Sequence, residues 1–547
     1  MVMCLLQKNK QNKLYYYTGN PFLDASIVAI LAATDKNSPE ELVQEDFSIA
    51  VERLKTIFLS PQAQGKGVKK SFTRGALSQI FPNSPLVNPS CKDSVGIYSR
   101  LLENTLNKII NFRPGTKRCP VCGREYSEGE IQVKADKFPL LRGLANFYPF
   151  LSNGMEICPF CFLAIQFFPL VVLKGAGYLW FFHTHNTKLA KAVSKKFGWS
   201  HLEALIAGNS SLEFYGEWNS IGEAGTILNL FYKIFKDMAE HEQELFESRH
   251  PVIVYLFTND NRTAFVRYIV IPHEVLEFLG FLYYEDKRAF ERFFRELIFI
   301  PTNFKGKALR AKKASVANTA LAILEKRPLL SHALEYDAFY LRGGWKAHRL
   351  YLLEVRKMPA WKLKILEKLG RKIFASEDKK KWLIGLKTAS YPELSNIFLQ
   401  FVKEGWLTSQ EVYLLTPPGE EFFLFEARDI LLAVLYESEY LAREGIEFPE
   451  FSESELPSPD KYYQKVETIS QNIVQKYPNP ERFIGDLKNV RKPQGIRGVY
   501  LKGAEHGAIR WSDFIFLAPV EDTNRLYLNR DYLIACLTEK LSPEGGI

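Results

Sequence analysis

The 547-residue sequence predicts an α+β chain: a mixed N-terminal and middle region carrying an inserted four-cysteine, ribbon-like module, followed by a mainly α-helical C-terminal bundle. Three observations predict it. Apolar runs of strand length, bounded by turn residues, lie between about residues 178 and 271. Three-to-four spacing of Phe and Leu dominates after about residue 285. Four of the seven cysteines fall into two close pairs in the first third of the chain. The length admits two to four domains. Composition and pattern divide it into an α-rich region with basic and Asn/Pro loops (1–115), the cysteine module with an insertion (116–165), an α+β core (166–285), a helical region with basic tracts (286–416) and a C-terminal helical region with an acidic linker (417–547).

Taken in order, Asn20 before Pro21 reads as an N-cap and first turn. The helix it opens runs through Ile27, Val28, Ile30 and Leu31 and is apolar on most faces, so it is expected to be buried. A second helix is predicted over Asp46 to Leu59, then a loop from Ser60 to Ser90. Within that loop three prolines between Phe81 and Pro89 exclude regular helix and give a shaped, extended path. Beyond the cysteines, Tyr178 to Phe182 reads as a buried strand and Leu189 to Lys196 as a helix. Val252 to Phe257 and Ala264 to Ile271 form a hairpin about Thr258-Asn259-Asp260-Asn261-Arg262. Pro272 stops the second strand, and a helix begins near Glu274. Phe290, Phe293, Phe294 and Leu297, then Leu363, Leu366 and Leu369, hold helical spacing. Pro417 to Asp460 carries twelve Asp/Glu against two Arg, and Ser452 to Pro459 reads as a solvated linker. Arg428 to Leu435 and Arg530 to Leu537 are similar amphipathic helical segments; two ordinary helices explain them as well as a duplicated unit does.

Composition narrows the classes of function. The apolar fraction of 46% suits ordinary cores, and a net charge of +9 is too modest at this length to argue for nucleic acid by itself. The aromatic share of 14% serves cores, interfaces or base stacking alike. No stretch reaches the ~20 apolar residues that span a bilayer, and the N-terminal run carries no cleavage signature; the chain reads as cytoplasmic, with no membrane partner. There is no GxxxxGK[ST] phosphate loop, GxSxG elbow or HExxH pair, so no ATPase, serine-hydrolase or zincin chemistry is indicated.

Cys119-Pro120-Val121-Cys122-Gly123 and Cys158-Pro159-Phe160-Cys161 are two C-P-x-C knuckles. Two intervening residues let both sulfurs of a knuckle turn to one ion, Pro stiffens the turn and Gly123 permits the bend after it. Together they supply the four sulfurs of a tetrahedral Zn2+ site, making the module zinc-ribbon-like. Thirty-five residues separate the knuckles, against ~15–20 in common ribbons, hence an insertion. Four sulfurs leave no open position, so the zinc is expected to be structural. Redox CxxC pairs or buried thiols are the alternative. Cys4, Cys91 and Cys536 are isolated, and an odd, sparse set does not make a secreted disulfide framework. His183-Thr184-His185-Asn186 adds the His and Asn that an HNH-like metal nuclease would use; strand-end histidines satisfied by local hydrogen bonds are the plainer account.

Positive charge is concentrated in four tracts. Lys66, Lys69, Lys70 and Arg74 lie in the loop, and Lys305, Lys307, Arg310, Lys312 and Lys313 in a second Gly-containing stretch read as a loop. Arg356 to Lys381 holds ten Lys/Arg against three acids at helical spacing and reads as a solvated helix face, and Lys488 to Lys502 is the fourth. The first two suit phosphate binding, where each neutralised phosphate releases counterions. Asn83, Ser84 and Asn88 lie in the proline-rich loop beside the first tract; Asn can contact base edges, and equally forms turns.

Thr18-Gly19-Asn20-Pro21-Phe22-Leu23-Asp24, the Phe81-Pro82-Asn83-Ser84 loop, the two knuckles, and Trp511-Ser512-Asp513-Phe514 ahead of Arg530-Asp531-Tyr532-Leu533 resemble the CXXC–CXXC large-subunit family of type I-B CRISPR effector complexes. The resemblance spans nearly the whole chain, the knuckles being its most specific part; Ser26 stands where the opening motif would carry Gly. It implies a non-catalytic subunit of a Cascade surveillance complex, with RNA-guided backbone subunits, small subunits, crRNA and target double-stranded DNA as partners. Such a subunit recognises the protospacer-adjacent motif, helps open the duplex and stabilise the R-loop, and recruits a helicase-nuclease in trans. The resemblance further implies a small-subunit-like C-terminal bundle, sometimes also made from an internal start, for which Met358 is the only methionine in the second half. Two other classes stand beside it: the HNH-like nuclease, and a zinc-ribbon adaptor that binds only proteins.

Overall fold

The computed structural model describes residues 15–64, 77–81, 84–127, 131–133, 155–175, 178–207, 221–237, 250–259, 264–300, 305–420, 423–449, 456–458 and 460–542. The chain forms two compact units, Met1–Glu285 with Ile298–Glu325, and Asp286–Leu297 with Lys326–Ile547.

The first unit is α+β. The Asn20 side chain accepts from the amides of Phe22 and Leu23, and Pro21 takes the first turn, so α1 (Pro21–Thr34) starts where its cap predicts. Every residue from Phe22 to Ala32 is buried, because α1 is wrapped on all sides. Against it lies α2 (Gln44–Leu59), and α3 (Ser94–Ile110) packs in turn on α2. Next come the hairpin β1 (Lys117–Arg118) and β2 (Glu125–Tyr126), and the pair β3 (Ile131–Val133) and β4 (Met155–Ile157). Helix α4 (Pro159–Gln166) follows and packs against both α1 and α3. The main sheet is antiparallel, in the order β5 (Leu173–Gly175), β6 (Tyr178–His183), β7 (Val252–Asn259), β8 (Ala264–Ile271). Strand alternation splits its side chains between two faces. On one, Phe181 and Phe257 meet Phe22 of α1 at 4.8 and 5.6 Å. After α5 (Thr187–Val193), α6 (Gly222–Asp237) covers the other face, where Phe182 meets Phe231 at 5.9 Å. The unit is completed by α7 (His273–Glu285) and α8 (Gly306–Leu324), the latter against α6.

Two expectations about this unit are corrected. The stretch from Lys305 to Lys313 is not a loop: it forms the start of α8. Gly306 takes a left-handed φ of 57° only at the entry, after which Ala, Leu, Arg and Lys favour helix, and Val316, Ala320 and Ile323 bury one side. The Ser60 to Ser90 stretch is also more structured than an open loop, with helical turns at Pro61–Gln64 and Ser78–Ile80 and with Leu77, Ile80, Phe81 and Leu86 in the core.

The second unit is helical. It comprises the helix Lys287–Leu297, α9 (Ala360–Ala375), α10 (Tyr391–Lys403), α11 (Phe423–Arg443), α12 (Lys461–Lys476), α13 (Pro480–Asn489), α14 (Pro493–Glu505), α15 (Trp511–Leu517) and α16 (Thr523–Leu541), with a two-residue ladder between Leu334–Glu335 and Tyr340–Leu341. Helices α9 and α11 cross where a Cβ on Gly370 would sit 2.6 Å from Val434 Cγ1, so only glycine allows the approach. The acidic stretch holds one of the helices of the unit, where the amphipathic segment from Arg428 predicts one: α11 is buried from Ala427 to Ser438 apart from Arg428 and Asp429. Its carboxylates are paired instead, Glu437 with Arg292 at 2.8 Å, Glu439 with Lys379 at 2.9 Å and Glu426 with Arg356 at 3.6 Å. The predicted linker at Ser452 to Pro459 falls mainly outside the described residues. The two similar segments lie in α11 and α16, and each arginine pairs with the aspartate beside it, Arg428 with Asp429 at 2.8 Å and Arg530 with Asp531 at 2.6 Å. Among the described residues no helix is long and apolar enough to cross a membrane.

Candidate metal centre

The first knuckle is the turn between β1 and β2. Gly123, at φ 74°, lets the chain reverse so that its amide donates to the Cys119 carbonyl at 2.8 Å while the Cys119 amide donates to the Arg124 carbonyl at 2.8 Å. The second knuckle joins β4 to α4: Cys158 sits at the N-cap position, Pro159 occupies the first turn, and the Phe162 amide closes back on the Cys158 carbonyl at 3.1 Å. Cys161 is thereby turned back toward Cys158. Cys119, Cys158 and Cys161 are buried and Cys122 is half-buried.

All four sulfurs lie within 4.8 Å of one another. Cys122 Sγ is 3.5 Å from Cys158 Sγ, and Cys119 Sγ is 3.9 Å from Cys161 Sγ. A tetrahedron with metal–sulfur bonds of ~2.3 Å has sulfur–sulfur edges of ~3.8 Å, so the four thiols already stand at the corners of one coordination sphere. Their acid–base balance agrees. Burial pushes the Cys158 thiol well above its ordinary range, and hydrogen bonding with Cys119 does the same to Cys161. Hydrogen bonding with Cys122, Cys158 and Cys161 holds Cys119 low. The buried quartet cannot ionise together alone; a bound cation lets it.

A collar of aromatic and charged groups holds the knuckles in place. Tyr15 donates to the Phe160 carbonyl at 2.6 Å, inside the second knuckle, and Tyr16 to the Cys122 carbonyl at 2.7 Å, inside the first. The Arg124 guanidinium lies 4.2 Å from the Phe160 ring centroid and 5.2 Å from that of Tyr16. Lys117 of β1 and Glu156 of β4 form an ion pair at 2.6 Å. The sequence reading missed Tyr15 and Tyr16, although the Tyr15-Tyr16-Tyr17 run directly before the opening motif was a usable signal.

The same N-terminal segment carries a second anchor. Asp24, buried in α1, accepts from the Thr18 amide (2.6 Å), the Thr18 hydroxyl (2.9 Å) and the Gly19 amide (3.0 Å). His183 Nε2 stands 3.6 Å from its other side. His183 and His185 therefore sit at the end of β6, one against Asp24 and the other exposed. Among the described residues the four cysteines are the only group of three or more His, Cys, Asp or Glu whose ligand atoms converge.

The expected nucleic-acid residues divide three ways. Lys66, Lys69, Lys70, Arg74 and Asn83 lie outside the described residues. Ser84 is corrected: it is 3% exposed, and its backbone and hydroxyl serve the turn through Leu86, Val87 and Asn88, so it presents nothing to a ligand. Asn88 is exposed, and its side-chain oxygen accepts from the Ser90 amide at 3.0 Å, the turn-forming role of Asn. Lys305, Lys307 and Arg310 are exposed at the start of α8, while Lys312 and Lys313 are half-buried one turn further on. Comparison of the chain with protein-family models, curated proteins and solved structures finds no match.

Proposed function

We propose that this chain is the large subunit of a type I-B CRISPR Cascade surveillance complex, a non-catalytic subunit that reads the protospacer-adjacent motif of target double-stranded DNA, assists duplex opening and R-loop stabilisation, and helps recruit a helicase-nuclease. One observation supports the reading: the opening motif and the two knuckles, far apart in sequence, share one hydrophobic core. Asp24 gathers Thr18 and Gly19, and Tyr15 and Tyr16, directly ahead of that motif, bond to both knuckles. The resemblance thus picks out a physical unit. In this reading the quartet Cys119, Cys122, Cys158 and Cys161 holds one structural Zn2+, which supplies folding energy and no reactive position. The exposed cations Lys305, Lys307 and Arg310 and the loop cations Lys66, Lys69, Lys70 and Arg74 contact phosphates, adding salt-sensitive affinity, with Asn83 or Asn88 near base edges. Backbone and small subunits and crRNA supply the filament on which this subunit sits.

The test is reconstitution of the complex with a guide and a matching duplex. Reversing charge at Lys69 and Lys70 should weaken capture of duplex by tenfold or more at moderate salt and flatten its salt dependence. Unchanged capture would favour the protein-only adaptor. Magnesium- or manganese-dependent cleavage lost in His185→Ala would replace the proposal with the nuclease reading.

A further inference from the structure

Among the described residues, the face of the main sheet that packs on α1 is exposed toward its β8 edge. Leu179, Phe181 and Phe257 are buried beneath α1, but on the outer strand β8 the residues of the same face, Val266, Tyr268 and Val270, are exposed, Tyr268 by 65%. The register places Tyr268 opposite Tyr255, and Tyr255 opposite Phe181. From there a row of accessible rings crosses the sheet: Tyr268 to Tyr255 at 6.1 Å, Tyr255 to His183 at 6.3 Å, His183 to His185 at 5.8 Å and His185 to His250 at 5.8 Å. Adjacent rings are inclined by 49° to 71°, so none is stacked flat on its neighbour in the row. Tyr255 is flanked on the neighbouring strand by Phe181, stacked at 5.0 Å and 10°.

The charge on this surface is as informative as the rings. Strands β5 to β8 contain no Asp or Glu. Arg267 belongs to the opposite face, where it pairs with Glu223 of α6. The carboxylate that meets the row, Asp24, is buried and already accepts three hydrogen bonds from Thr18 and Gly19. Among the described residues of these strands a polyanion therefore meets no like charge. A purely apolar partner would fit less well, since it would leave the phenol and imidazole groups without hydrogen-bond partners.

We propose that the ring row from Tyr268 to His250 is a binding site for single-stranded nucleic acid, its bases resting on the rings and the imidazoles and phenols bonding to base edges or phosphates. Exposed rings on an antiparallel sheet are a general means of holding unstacked bases. The step of about 6 Å between rings is nearly twice the ~3.4 Å per nucleotide of a duplex strand, which suits a strand with its bases separated. This inference stands on the ring geometry and does not depend on the surveillance-complex proposal.

The experiment is fluorescence anisotropy of the purified full-length protein with a labelled oligothymidylate of about ten nucleotides. Tyr268→Ala should weaken binding roughly tenfold, the loss of one base-stacking contact, whereas Tyr268→Phe should bind like the wild type. With 5-iododeoxyuridine in the oligomer, photo-crosslinks should map to peptides containing Tyr255, Tyr268 or His185. Tyr268 is exposed, so an unchanged melting temperature shows that the loss is not unfolding. Duplex capture by the reconstituted complex reports on Lys69 and Lys70 and separates failure of one proposal from failure of the other. Unchanged oligomer affinity in Tyr268→Ala, or crosslinks confined to other surfaces, would overturn the inference. Loss of self-association in Tyr268→Ala at constant oligomer affinity would do so too, assigning the face to a second copy of the chain.

Discussion

The two units of this chain reach stability by different means. The first is tied together across long sequence separations: four sulfurs converge from two knuckles, Tyr15 bonds to Phe160, and Trp199 donates to the Ala29 carbonyl at 3.0 Å in the middle of α1. The second is a helical bundle whose charges are taken inside and paired, as in Arg292 with Glu437 and Arg349 with Glu367. The contrast teaches that the chain's acid and cysteine content are both structural materials, used in different units. It also says where each unit should break.

The largest effect should come from the sulfurs. Cys119→Ser, or a strong chelator added to the wild type, should abolish the unfolding transition of the first unit while leaving that of the second, because metal-binding energy on the order of 10 kcal/mol is also folding energy in sites of this kind. Calorimetry of the full chain with metal analysis would show it; two unchanged transitions would mean that the quartet holds no ion. Next is Arg292→Ala, which strands the buried Glu437 and should cost the second unit about 4 kcal/mol in denaturant unfolding, with the first unit untouched.

A third break depends on pH. His348 is buried, and its Nε2 donates to the Arg342 carbonyl at 2.8 Å. Burial lowers its pKa from 6.5 to about 4. As pH falls, the unfolded chain takes up the proton before the folded one does. The stabilisation is therefore complete above about pH 6.5 and lost progressively toward pH 4, by about 3 kcal/mol. His348→Gln should remove that slope, and equal slopes in the two proteins would refute the assignment. The smallest effect is Tyr16→Phe, which deletes one hydrogen bond to the Cys122 carbonyl and should lower first-unit stability by about 1 kcal/mol, with metal content unchanged.

How much of this was legible beforehand depended on the range of the interaction. Local chemistry read well: the Asn20-Pro21 cap, the strands on either side of the turn after Thr258, the helix after Pro272 and the paired knuckles all declare themselves within a few residues. One failure came from judging a stretch by its charge: the cations after Gly306 masked strong helix formers. The acids around α11 did not hide its amphipathic stripe, which is buried through Val434 and Leu435. The collar and the ring row failed for another reason. Tyr15 meets Phe160 across 145 positions, and Tyr268 joins His183 only through the β6–β7–β8 register. No spacing rule holds information of that kind.

The pairing of β3 with β4 has one more consequence. Val133 lies opposite Met155, and Cys122 and Cys158 meet just outside that pair. The two ends of the segment between Val133 and Met155 are thus held side by side. Loop-closure entropy grows only logarithmically, each doubling of length costing about 0.6 kcal/mol. A change in the length of that segment therefore adds little closure cost of its own. Of the thirty-five residues between the knuckles, those forming β2, β3 and β4 are therefore fixed by pairing, and length is least constrained between Val133 and Met155.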